Sequence, residues 1–160
     1  MNNEILYLAE KTICAVSRKK QSVALAESCT GGLIAVALTS VSGASAVFFG
    51  SAVTYSNEAK WDILGVAPEI IVRFGAVSAE CAAAMACGAK RIYNSDIALS
   101  VTGIAGPRGG SPEKPVGTVW FGYVGEQSEG VFVRYFEGDR EQIRLLAVME
   151  ALRFISEELS

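Results

Sequence analysis

The sequence predicts an α/β fold, a three-layer α/β/α sandwich around a mixed five-stranded sheet. Three observations point to it. Apolar residues alternate along the chain between helical spacing and short β-rich runs, the pattern of strands interleaved with crossover helices. Two strand-like runs near the C-terminus, 116–124 and 131–137, flank the short turn 125–130, which makes them an antiparallel hairpin and the sheet mixed. The 160 residues are 51% hydrophobic and 19% charged, enough apolar material for one core and too much for a disordered chain.

The elements follow in order. Ile5, Leu8, Ala9, Ile13 and Val16 recur at helical spacing, so 4–18 is a helix that closes on the basic run Arg18-Lys19-Lys20. Val23 to Glu27 is a short apolar strand. Thr30 to Thr39 is a helix opened by Ser28-Cys29-Thr30-Gly31-Gly32. The β-branched and aromatic run 47–55 is a second strand. Asn57 caps a short helix stopped by Gly65, and Pro68 starts another that runs to Phe74. Ser78 caps a long Ala-rich helix over 79–92. A third strand over 96–101 runs into the glycine-rich loop 102–115. After the hairpin, 139–158 is the last helix, with Ile143, Ala147, Ala151, Leu152 and Ile155 on one face. No linker or repeat divides the chain, so residues 1–160 are expected to form a single domain.

Composition removes several functional classes. The net charge is -3 and no face is rich in Lys and Arg, which argues against nucleic acid as a partner. No apolar run reaches the roughly 18 to 20 residues of a membrane span, and the first ten residues lack a signal-type apolar stretch, so a cytoplasmic protein with no membrane partner is expected. The cysteines Cys14, Cys29, Cys81 and Cys87 form no C-x-x-C pair and are expected to be reduced, with Cys14, Cys81 and Cys87 as core filler among Ala, Ile and Met. The chain contains no histidine. That excludes a Ser-His-Asp triad and a Cys-His dyad, and any hydrolysis at neutral pH needs another base.

Four segments carry candidate chemistry. Ser28 lies where a buried strand turns into a helix whose unpaired N–H groups favour developing negative charge. Gly31 and Gly32 let a substrate approach that backbone closely. Ser28 is there either a nucleophile with an oxyanion site at Thr30 to Gly32, or a plain helix cap. Lys60 falls in the first turn of the helix that follows Asn57, where a cation opposes the helix dipole by ~0.3–1 kcal/mol. Turning a lysine of pKa ~10.4 into a base near neutral pH takes about 4 kcal/mol, so burial must supply most of it. The alternative is a solvated surface lysine. Tyr55 either relays a proton or is a rim aromatic. The loop from Thr102 through Gly103, Ala105 and Gly106 to Arg108 follows a strand, where α/β proteins place ligand loops, though an ordinary loop reads the same way. Arg140 opens the last helix against its dipole, as an anion-binding residue or as a surface arginine. Ser17-Arg18-Lys19-Lys20 matches S-x-x-K, but no K-T-G follows it.

Five stretches then occur in a telling order: Ala26-Glu27-Ser28-Cys29-Thr30-Gly31-Gly32, Tyr55-Ser56-Asn57-Glu58-Ala59-Lys60, Gly75-Ala76-Val77-Ser78, Thr102-Gly103-Ile104-Ala105-Gly106-Pro107 and Lys114-Pro115-Val116-Gly117-Thr118-Val119. Together they resemble the CinA C-terminal domain family, over about residues 5–158. The resemblance implies hydrolysis of nicotinamide mononucleotide to nicotinate mononucleotide and ammonia, with no metal or organic cofactor. It puts the nucleophile on Ser28, its tyrosine and lysine on Tyr55 and Lys60, and nucleotide contacts on Thr30 to Gly32, Asn57, Thr102 to Gly106 and Arg140. It also implies the stand-alone amidase form, without the N-terminal domain that some members carry. One departure stands out. A small pair such as Gly-Gly is expected before the Val-x-Tyr strand, and Ser51 stands in Phe49-Gly50-Ser51-Ala52-Val53, where it is expected to alter the pocket wall.

Two rival readings remain at this point. Cys29 is a thiol nucleophile in one, and the chain is a catalytically silent nucleotide-binding domain in the other. Ala-rich helices, read as exposed, suggest a homo-oligomer.

Overall fold

The computed structural model describes residues 2–159. Five strands form one sheet in the order β2-β1-β3-β4-β5. They are β1 (Val23–Glu27), β2 (Phe48–Val53), β3 (Ile97–Gly103), β4 (Thr118–Val124) and β5 (Glu129–Tyr135). β1 pairs in parallel with β2 and β3, while β3–β4 and β4–β5 are antiparallel. The sheet is therefore mixed, with the expected hairpin at its end.

Helices cover both faces. α1 (Asn3–Arg18), α2 (Leu33–Thr39) and α6 (Arg140–Phe154) pack on one face, where Val23, Leu25, Ile97, Leu99, Val101, Val119 and Phe121 meet Leu8, Ile34, Leu38, Ile143 and Leu152. α3 (Asn57–Leu64), α4 (Pro68–Phe74) and α5 (Ala79–Tyr93) pack on the other, around Ala26, Ala52, Ala98, Leu64 and Met85. Period-2 alternation divides each strand between these layers. The face toward α5 is built from small residues. Ser100 Oγ donates to the Ala82 carbonyl at 2.6 Å, and a Cβ on Gly122 would overlap that same carbonyl. The Ala-rich helix thus lies close on the sheet, with Ala82, Ala86 and Ala89 fully buried. Its other alanines, Ala79, Ala83 and Ala84, are half-buried and none is exposed, so the exposed alanine face on which a homo-oligomer was expected is not present in this helix.

Boundaries shift where loop chemistry intervenes. α2 begins at Leu33, not Thr30, because Gly31 and Gly32 take left-handed conformations (φ 61° and 93°) that interrupt a helix. Ser56, not Asn57, caps α3, and its hydroxyl accepts from the Ala59 amide. Asp139 and Gln142 cap α6 reciprocally, and the chain leaves that helix in a π turn at Ile155–Leu159. Cys81 is buried as expected, but Cys14 and Cys87 are exposed. Both lie on the outer faces of their helices, so small apolar neighbours in sequence did not make them core. No helix among the described residues is long and apolar enough to cross a membrane.

Candidate active site

β1, β2 and β3 run parallel, so their carboxyl ends share one edge of the sheet. The connections from β1 and β2 leave to opposite faces, through α2 and through α3, and a crevice opens between them. Ser28 follows β1 and is anchored by its amide to the Val101 carbonyl at 2.9 Å. Thr54 and Tyr55 follow β2, and Thr102 and Gly103 end β3. Ser28, Tyr55, Asn57, Lys60, Thr102, Gly103, Ala105 and Arg140 line one pocket of about 190 Å³, together with Cys29, Ala76 and Val77.

Lys60 is the decisive residue. It is 1% exposed, among the largest fully buried side chains of the protein. Its Nζ lies 3.0 Å from Ser28 Oγ and donates to the Thr54 carbonyl at 2.7 Å. Burial lowers its pKa from the ordinary lysine value. No carboxylate pairs with it among the described residues. The thiols whose charge would raise it, Cys81 and Cys29, are themselves pushed up by burial. Burial without a carboxylate partner thus shifts this amine toward its neutral form relative to an exposed lysine. The surface-lysine alternative falls here.

Tyr55 lies elsewhere in the network. It is 60% exposed, and its hydroxyl accepts from Arg140 Nη2 at 2.7 Å. Arg140 Nη1 donates to the Gly106 carbonyl at 2.8 Å. Among the described residues Tyr55 makes no hydrogen bond to Ser28 or Lys60. Thr102 Oγ1 donates to the Ala76 carbonyl at 2.8 Å and holds the 75–78 turn against β3. Gly103 packs so closely on β4 that a Cβ would come 2.7 Å from Val119 Cγ2. Arg108 is exposed and is not part of the pocket lining.

Thr30, Gly31 and Gly32 are not among the residues that line the pocket, and their polar groups are engaged within the protein. Glu27 is fully buried and accepts five hydrogen bonds. Its Oε2 takes Thr30 Oγ1, the Gly32 amide and the Ile34 amide at 2.8–3.1 Å, and its Oε1 takes the Ala35 amide and Ser51 Oγ at 2.9–3.0 Å. The carboxylate occupies the N-terminus of α2, where the helix dipole stabilises it. The Gly31 amide is spent on the Ser28 carbonyl at 3.0 Å. The oxyanion donors expected at Gly31 and Gly32 are therefore taken. Among the described residues, the amides of Cys29 and Thr30 bond to no other residue's oxygen. Ser51 belongs to the Glu27 cluster and not to the pocket wall.

Sequence reasoning passed over Glu27 and Arg144. Arg144 donates to the Cys29 and Thr30 carbonyls at 3.1 and 2.9 Å, pinning the loop from α6. A sequence signal for Glu27 existed. It shares its strand face with Val23 and Leu25, so the alternation drives a carboxylate inward. Cys29 is buried, and its thiol is pushed up to about 12 by burial, against the pull of nearby backbone amides. A larger groove of about 500 Å³ opens beyond Arg140, between α1, α2 and α6, and holds neither nucleophile nor base.

Known proteins resemble this chain in sequence and in fold. The family described as the CinA C-terminal domain matches residues 6–159. A "CinA-like protein" of Geotalea daltonii is 54% identical over 86% of this chain, which spans about a third of that relative (33%). The "Nicotinamide-nucleotide amidohydrolase PncC" of Enterobacter agglomerans is 49% identical over 87% of this chain and 85% of its own length, and that of Escherichia coli K12 is 44% identical over 95% and 93%. The crystal structure of a competence/damage inducible protein from Agrobacterium tumefaciens superposes with a TM-score of 0.90 at 44% identity, covering 97% of this chain and 95% of that one. One from Klebsiella pneumoniae gives 0.94 at 36%, covering 99% and 98%. The chain belongs to the CinA C-terminal domain family.

Proposed function

We propose that the protein is an amidase that hydrolyses the carboxamide of nicotinamide mononucleotide, with Ser28 as nucleophile and Lys60 as base. One observation carries the reading: the Lys60 amine, buried and held at 2.7 Å by the Thr54 carbonyl, lies 3.0 Å from Ser28 Oγ. The names of the relatives from Enterobacter agglomerans and Escherichia coli support the substrate.

Neutral Lys60 takes the Ser28 proton as Oγ attacks the carboxamide carbon. The amide of Cys29, the residue that follows the nucleophile and lines the pocket, receives the oxyanion, as in the turn after other strand-borne serine nucleophiles. Lys60 returns the proton to the leaving nitrogen, and ammonia departs. Water, deprotonated by Lys60, then hydrolyses the ester and releases the carboxylate and Ser28. Lys60 passes the water's proton to Ser28 Oγ, and the remaining acid proton is lost to solvent.

The pocket volume supports one orientation of the substrate. A cavity of about 150 Å³ holds a benzene ring. The 190 Å³ here takes one pyridine ring with its amide and leaves the ribose phosphate at the mouth, beside Arg140. On this reading the ring end meets Asn57, Thr102, Gly103 and Ala105, and the phosphate meets Arg140. The thiol reading is disfavoured, because a thiol pushed up to about 12 holds almost no thiolate at neutral pH.

The test is ammonia release from the nucleotide, the nucleoside and the free amide. Ser28→Ala is expected to lower turnover at least about 10³-fold with binding retained, and Cys29→Ala to retain most of it. Full turnover by Ser28→Ala, or loss in Cys29→Ala with the fold intact, overturns the assignment. Binding without any ammonia release by the unaltered protein makes it a silent nucleotide-binding domain.

A further inference from the structure

We propose that Tyr55 is a positioning residue for the phosphate-binding cation, holding Arg140 across the pocket mouth, and stands outside the proton path. The inference rests on the amidase reading and deepens it, because it makes Tyr55 a determinant of phosphorylated over unphosphorylated substrate.

The hydrogen bonds separate two sets of residues. At the floor, Lys60 Nζ is already engaged by Ser28 Oγ and by the Thr54 carbonyl, and both bonds are buried. At the mouth, the Tyr55 hydroxyl is engaged by Arg140 in an exposed bond. Arg140 is in turn fixed to the Gly106 carbonyl, in the loop that follows β3. Arg140 forms no ion pair among the described residues. Its positive charge is left for a ligand.

Geometry explains why the hydroxyl matters. A guanidinium is planar and carries five N–H donors. Two are spent, one on Tyr55 and one on Gly106, on different terminal nitrogens. Fixing two donors fixes the plane, and so aims the remaining three. Without Tyr55 the group pivots about the Gly106 contact, and a phosphate must order it on binding. An uncharged nucleoside makes no use of that aim. The effect of the hydroxyl should follow the substrate's phosphate and leave the chemical step alone.

Tyr55→Phe removes only the hydroxyl, at an exposed position where the fold tolerates the change. With the nucleotide, KM is expected to rise about tenfold and kcat to move less than about twofold. With the nucleoside and the free amide, kcat/KM is expected to change less than about twofold. Tyr55→Phe and Arg140→Gln together should cost the nucleotide little more than Arg140→Gln alone. An equal fall of kcat on all three substrates, or additive losses in the double variant, overturns the proposal and returns Tyr55 to the proton path. Calorimetric binding to Ser28→Ala protein, with and without Tyr55→Phe, keeps the two readings apart. If the unaltered protein releases no ammonia but Tyr55→Phe still weakens the nucleotide selectively, the amidase reading falls and this one stands. If the nucleotide binds no more tightly than the nucleoside, this one falls.

Discussion

Lys60→Met tests the base directly, and two independent magnitudes follow from the structure. The first is kinetic. Removing a general base costs about 10²–10⁴ in rate, and the floor offers no second group to take the proton, so kcat should fall about 10³-fold or more. The second is thermodynamic and needs no substrate. Burial disfavours the ammonium in the fold, so the folded pKa lies below the unfolded value of ~10.4. Between those two values the unfolded chain binds the proton and the folded protein does not. Stability of the unaltered protein therefore falls as pH drops through that window, by about 1.4 kcal/mol per pH unit, and levels off below the folded pKa. Methionine carries no proton in either state. It also leaves the Thr54 carbonyl without its 2.7 Å donor, a loss of about 1–3 kcal/mol that does not vary with pH. The slope of the difference thus carries the information, and its offset does not. Urea unfolding of both proteins from pH 10 downward supplies it, and every other titrating group cancels in the difference. A growing advantage for Lys60→Met as pH falls is expected. A difference that stays flat would mean that folding leaves the lysine charged, and the neutral-base mechanism would be refuted.

Two further changes probe the frame of the site. Glu27→Gln puts a donor against either the two donors on Oε1 or the three on Oε2. It should cost about 3 kcal/mol and lower Tm by about 6–12 °C, with kcat falling as the 28–32 loop loosens; calorimetry and turnover check both. Gly122→Ala forces a methyl into the Ala82 carbonyl, where only backbone can give way, and should cost about 1–3 kcal/mol in urea unfolding while kcat stays within about threefold, since α5 meets the pocket only through the turn before it.

Much of the architecture could be read because local patterns and packing agree in it. The strand Val23–Glu27 was bounded by its apolar run, and Ser78 and Gly65 act as the caps their types suggest. The failures share a cause: they concern what a residue meets across the chain. Asn57 and Ser56 are both good caps, and only the backbone path selects Ser56. Cys14 and Cys87 have apolar neighbours in sequence but face outward. The alanines of α5 are not surface filler, because a sheet of small residues rises to meet them. Gly31 and Gly32 suggested a substrate cradle. Glu27, five residues before Gly32, takes that amide for itself, the Gly31 amide goes to the Ser28 carbonyl, and no spacing rule reveals a strand carboxylate that caps the next helix. Ser28 and Lys60, 32 positions apart, were brought together in sequence by chemical elimination and by family resemblance; the 3.0 Å contact is a fact of the fold alone.

The separation of floor and mouth also bears on how such a site can change over generations. Ser28 and Lys60 are held by buried bonds to backbone carbonyls and strands, so most substitutions around them threaten folding before they alter chemistry. Tyr55 and Arg140 are exposed, and within the site hold only each other and one loop carbonyl. Drift at those two positions is cheap. A lineage can therefore explore amides that carry new groups on the far side of the ring, larger or differently charged, through the mouth while inheriting the reactive pair unchanged.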